Sequence, residues 1–147
     1  MGRRTLLVVI AVLGTVPVLS GLLGIVGGPG ALPGGEPVNA TIDSEYRFIN
    51  VFWLAAGLLI WWSLRRPEQR ADVTRVILAI ASLGAVPRLI SVAVTGWPHP
   101  VFVGALILEL LVVPLVIWWH VRTFPRPVAS VPKAMTTPAG TPSDATD

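Results

Sequence analysis

The sequence predicts an all-α membrane protein: a four-transmembrane-helix bundle, open to being read as two related helical hairpins. Three observations carry this. Mean hydropathy is +0.72, with 53% hydrophobic and 13% charged residues, a balance that makes a soluble globular domain the losing alternative. Four apolar stretches, about 5–26, 46–64, 76–95 and 101–121, each approach the ~20 residues that a helix needs to cross ~30 Å of hydrocarbon. The basic residues are also sorted. With the N-terminus in the cytoplasm, Arg3, Arg4, Arg65, Arg66, Arg70, Arg75, Arg122, Arg126 and Lys133 share that side, Arg47 alone takes the other, and Arg88 lies within the third stretch. Lipid offers no partner for peptide groups, so these stretches are expected as helices.

The first span follows Arg3 and Arg4. Its apolar run exceeds the about 7 to 15 residues of a secretory signal, so a retained helix is expected. Residues 27–42, GGPGALPGGEPVNATI, are too rich in Gly and Pro for a continuous helix, and Asp43 or Ser44 stands where a cap for the second helix belongs. The connection RRPEQRADVTR puts Pro67 at a first helical position, followed by charges suited to a short wet extension into the third span. The turn GWPHP is so short that the third and fourth spans must be antiparallel neighbours. Residues 1–122 thus form the four-helix domain, and 123–147 read as a disordered cytoplasmic tail rich in Pro, Thr and Ala.

Aromatic placement agrees with this topology. Trp61, Trp62, Trp118 and Trp119 precede the basic ends, while Tyr46 and Trp97 mark the opposite boundary. LGTVPVL around Pro17 echoes LGAVPRL around Pro87, and IWWSLR echoes IWWHVR. Duplication of a hairpin and chance recurrence of common membrane-helix residues both account for the echo.

Arg88 and Glu109 stand ten residues before and eleven after Pro98, so a hairpin folded there brings opposite charges to one depth. A central Arg costs roughly 2.5 to 3.5 kcal/mol on insertion scales and keeps its charge, so it needs acceptors, and Glu109 is the first. Ala81, Gly84, Ala85, Arg88, Ser91 and Thr95 recur at helical spacing and form a small, polar face expected to pack inward. At the outer end of the second span, Ser44, Glu45, Arg47 and Asn50 extend the expected network toward an outward-opening site. Two readings stay open for it: a ligand-binding pocket or ion-linked site, and a polar clasp that selects one helix arrangement. Pro17, Pro87 and Pro114 read as accommodated bends in preference to gating kinks.

Other chemistry is poorly supplied. Cysteine is absent, which excludes disulfides, thiolate ligands and thiol catalysis. His99 and His120 fall on opposite faces of the membrane and cannot share a metal, so neither metal nor cofactor is expected. Ser44, Ser63, Ser82 and Ser91 lack a nearby His, no phosphate-binding loop occurs, and Asn39-Ala40-Thr41 is assigned no role. The net charge of +3 reports topology, so nucleic acid is not an expected partner. Catalysis is therefore the least supported activity, and binding outranks it.

DSEYRF opening the second span, GAVPRLIS in the third, GWP in the next turn, and Glu109 followed by LLVVP together resemble the bacterial family called domain of unknown function 4345, over about residues 6–119. The resemblance makes Ser44, Arg47, Gly57, Arg88, Ser91, Gly96, Pro98 and Glu109 the matching positions, with Asn50 standing where the family pattern often has Gly. It implies a four-helix integral membrane protein with no established activity. A multi-pass protein of the bacterial inner membrane is then expected, both termini cytoplasmic. Its expected partners are the lipid bilayer and an anionic small molecule, a lipid headgroup or a membrane-protein segment. A proton-linked transporter or channel, or an accessory subunit of a membrane complex, is the alternative.

Overall fold

The computed structural model describes residues 2–125, so most of the expected tail, 126–147, lies outside the described residues. The elements are α1 (Arg3–Gly27), α2 (Ala40–Leu64), α3 (Ala71–Leu83), α4 (Ala85–Thr95), α5 (Pro100–Ile107), a π-helical turn (Leu108–Val112) and α6 (Val113–Thr123), with a short 3-10 turn at Pro29–Ala31. Because α3 runs into α4, and α5 through the π turn into α6, these make four helical rods: Arg3–Gly27, Ala40–Leu64, Ala71–Thr95 and Pro100–Thr123. Each is long and apolar enough to cross a membrane. No strand occurs among the described residues.

Two helix starts differ from expectation. Asn39, and neither Asp43 nor Ser44, caps α2, its Oδ1 accepting from the Ile42 N–H at 3.0 Å. Asn is among the best N-caps, and this start adds more than a turn before Tyr46. Pro67 lies in the turn between α2 and α3 rather than at a first helical position, and α3 begins at Ala71. That turn is fastened by side chains instead: Arg70 donates to the Trp62 carbonyl at 2.7 Å, and Ser63 and Thr74 share a buried hydroxyl contact at 2.7 Å.

The two hairpins pack unlike each other. Between α1 and α2 a line of glycines brings the backbones together, from Gly14 beside Ile60 to Gly24 beside Asn50. At Gly21 an added Cβ would stand 2.8 Å from the Leu54 backbone nitrogen, so only Gly permits that approach. The Asn50 side chain fits because Gly24 leaves the space opposite it. In the second hairpin, α3 packs on both α2 and α6, and α6 returns to α1, closing the bundle at the end that carries Arg3, Leu64, Ala71 and Thr123. This end is called the base. By contrast, α4 and α5 pack closely on no rod but their own.

The core follows from that closure. Leu6, Ile10, Ile60, Ala71, Leu78, Val113, Val116 and Phe124 form one buried cluster in the base half. Val8, Val12, Leu19, Phe52, Ile80, Leu83, Val94 and Leu115 lie on the outside. A surface this apolar needs a nonaqueous surround, which a bilayer supplies.

Candidate functional site: an ion pair on an apolar cavity

Two prolines shape the middle of the bundle. Proline has no N–H to give to the carbonyl four residues earlier. Pro87 thus releases the Leu83 carbonyl, and the third rod is interrupted at Gly84. Pro114 lies just past the π turn, in which the Val113 N–H reaches back to the Leu108 carbonyl. The Glu109 carbonyl is then orphaned twice, since Val113 donates elsewhere and residue 114 has no hydrogen to donate. Ser82 fills the gap, its Oγ donating to that carbonyl at 3.0 Å.

The same two irregular stretches carry the charges. Arg88 follows Pro87, and its Nε donates to both Glu109 carboxylate oxygens, at 2.9 and 3.1 Å. The Glu109 side chain is 8% exposed and that of Arg88 37%, so the carboxylate is enclosed while the guanidinium reaches the edge. Only Nε is engaged. Neither terminal nitrogen of Arg88 hydrogen-bonds to any of the described residues. The guanidinium carbon lies 5.8 Å from the centre of the Phe102 ring, within reach of a cation–π attraction.

Both residues line a cavity of about 200 Å³ bounded by all four rods. Its remaining wall is almost wholly apolar, with Pro17 from α1, Ile60 from α2 and Phe102 from α5. Ser20 and Trp53 are the neutral polar side chains there, and they use their donors on protein: Trp53 Nε1 donates to Ser20 Oγ at 2.9 Å, and Ser20 Oγ to the Val16 carbonyl at 2.7 Å.

The rest of the expected network is not gathered at this point. Arg47 forms a separate knot at the far end of α2. Its NH1 donates to the Ile25 and Val26 carbonyls at 2.7 and 2.9 Å, and its Nε and NH2 donate to Asp43 at 2.7 and 3.2 Å. These carbonyls are the orphans at the C-terminus of α1, where a cation is favoured. Asn50 is buried and donates to the Tyr46 carbonyl at 2.7 Å. Ser44 and Glu45 are exposed, as is Ser91, whose hydroxyl meets Thr95 at 3.3 Å. None of these lines the cavity. The small, polar face of the third rod turns inward only as far as Arg88, because α5 does not cover α4 beyond it.

Hydropathy and charge alone did not point to Ser20, Trp53, Ser82 or Phe102. Pro114 gave no direct signal for Ser82, since in a regular helix it frees the Leu110 carbonyl, and the Glu109 carbonyl loses its donor only with the π turn. His120, at the base end of α6, is fully buried beside Phe124, ring centres 4.9 Å apart, with neither ring nitrogen hydrogen-bonded among the described residues. No group of three or more His, Cys, Asp or Glu able to hold a metal occurs among the described residues.

No curated protein and no solved structure matches the chain. A family model described as "Domain of unknown function (DUF4345)" matches residues 5–120, a span holding both residues of the ion pair and the whole cavity wall, and the chain belongs to that family.

Proposed function

We propose that this protein binds the polar head of a lipid-soluble molecule or an anionic small molecule in the Arg88–Glu109 cavity. The supporting observation is the one-sided use of Arg88: Nε holds Glu109 while two terminal nitrogens, at the edge of an apolar chamber, have no acceptor among the described residues. A guanidinium so placed recognises acceptors in a planar, two-pronged fashion, and ionisable groups within membrane helices mark sites of function more often than not. The location belongs to the same proposal: the bacterial inner membrane, both termini cytoplasmic, on the strength of the basic residues gathered at the base. In this orientation the cavity lies away from the cytoplasmic face.

A second reading has its own support. Ser82 and Arg88 both tie the third rod to Glu109 in the fourth, which is what a polar clasp requires. Extraction and mass analysis of molecules retained by the purified full chain separates the two readings. Binding predicts a retained molecule that is lost from Arg88→Gln while the helical content persists. A clasp predicts no retained molecule in either protein.

A further inference from the structure

We infer that the cavity takes a neutral, carbonyl-bearing molecule with the bulk of a single ring or a short chain end, its oxygen held by the terminal nitrogens of Arg88. This rests on the binding reading above and narrows its ligand. Charge is the first reason. Arg88 and Glu109 are the charged residues of the cavity wall, and they sum to zero. A neutral ligand preserves that balance, whereas an anion adds a second negative charge beside the enclosed Glu109 carboxylate, with apolar walls that cannot compensate it.

Hydrogen-bonding capacity is the second reason. Trp53 and Ser20 donate to protein acceptors, and Arg88 Nε donates to Glu109. The donors left open in the wall are those on the two terminal nitrogens of Arg88, so the matching ligand group presents an acceptor to them, while a hydrogen of its own would meet only the Glu109 carboxylate, which is 8% exposed and engaged through both oxygens by Arg88. Carbonyl oxygens of esters, ketones and quinones meet this description. Size is the third. The chamber of about 200 Å³ is somewhat larger than the ~150 Å³ apolar cavity that accepts benzene in another protein. It holds one ring or a chain end and excludes a whole phospholipid. Access runs from the side, since α4 supplies only Arg88 to the wall and packs closely on neither α5 nor the first hairpin.

The test uses the full chain in phosphatidylcholine nanodiscs at pH 7.5, with three ring probes of similar bulk: methyl benzoate, benzoate and ethylbenzene. Equilibrium dialysis measures each, corrected for uptake by empty discs. Methyl benzoate is expected to bind about tenfold more tightly than ethylbenzene, the worth of one hydrogen bond to a charged donor, and about tenfold more tightly than benzoate. In R88L/E109L, which replaces the pair with apolar side chains, ethylbenzene still binds and the advantage of methyl benzoate over it disappears. Benzoate binding as tightly as methyl benzoate overturns the neutral ligand and leaves the binding reading intact. Equal binding of ethylbenzene and methyl benzoate, or persistence of the ester's advantage in R88L/E109L, overturns recognition by Arg88. Uptake of no probe above that of empty discs overturns the neutral ligand and the binding reading together and leaves the clasp.

Discussion

Ser82 and Glu109 are joined through a hydroxyl and a backbone carbonyl, at 3.0 Å, while the side chain of the same glutamate pairs with Arg88 beyond the interruption at Gly84. The bond exists because the π turn and Pro114 together deny that carbonyl any backbone donor. Ser82→Ala should therefore cost about 1 to 3 kcal/mol, the penalty of a buried unsatisfied acceptor. Pro114→Ala restores an N–H at the five-residue spacing of the π turn, aimed back at residue 109. In that background the loss from Ser82→Ala should fall below about 0.5 kcal/mol, a coupling visible in a double-mutant cycle. Reversible unfolding in mixed detergent micelles measures all four proteins. Simple additivity would show that the hydroxyl does not substitute for the missing proline hydrogen.

The ion pair makes a different prediction. Arg88→Ala strands an enclosed carboxylate, and Glu109→Ala strands a guanidinium at the cavity edge. Each should lose roughly 2 to 3 kcal/mol, under the 3 to 5 of a fully buried pair, because the Arg88 side chain is 37% exposed. Arg88→Glu combined with Glu109→Arg should recover part of the loss, since opposite charges again face each other. The same unfolding assay applies, and two independent, additive losses without recovery in the swapped protein would contradict direct contact.

How far the sequence reached depends on what kind of partner each residue seeks. Arg88 and Glu109 were legible because a turn at Pro98 fixes their relative depth and opposite charges in apolar surroundings have few other partners. The four helical rods were legible because hydropathy and length suffice for them. Arg47 was not: its acceptors include the end carbonyls of α1, at Ile25 and Val26, and a count of charged side chains omits such backbone orphans. The same omission hid Ser82, the interruption at Gly84 and the π turn; Pro87 marks the Leu83 carbonyl, but Pro114 marks that of Leu110 in a regular helix, and only the π turn moves the vacancy to Glu109. The splay of α4 from α5 was illegible for another reason. Apolar surface can face lipid as readily as protein, so composition does not say which helices touch.

Packing of the first hairpin predicts a contrast between two glycines. An alanine Cβ at Gly21 would stand 2.8 Å from the Leu54 backbone nitrogen, a neighbour that cannot rotate away, whereas one at Gly104 meets nothing within 4 Å. Gly21→Ala should destabilise by about 1 to 3 kcal/mol through overpacking. Gly104→Ala should be neutral or stabilising by up to about 1 kcal/mol, since alanine restricts the unfolded chain and favours helix. Thermal inactivation of the probe-binding signal and loss of helical circular dichroism should rank the two variants alike. A tolerant Gly21 would mean that α1 and α2 stand farther apart than the glycine line implies.

Arg47 supplies the sharpest check on the division of the polar residues into two sites. Its guanidinium closes the C-terminus of α1 and pairs with Asp43, and Gly28, at φ 67°, leaves just enough room for both, as an added Cβ would lie 2.6 Å from Arg47 NH2 and from Asp43 Oδ1. Arg47→Met should free two carbonyls at a partly exposed helix end and lower stability measurably. Combined with Arg88→Ala, the losses should add within about 0.5 kcal/mol, as expected of residues with no shared partner. Methyl benzoate binding should survive Arg47→Met within about twofold, because nothing in the knot at Asp43 lines the cavity. Strong coupling between Arg47 and Arg88, or loss of the probe, would mean that the two arginines act on one ligand after all, with the loop end of α2 drawn toward the π turn when it binds.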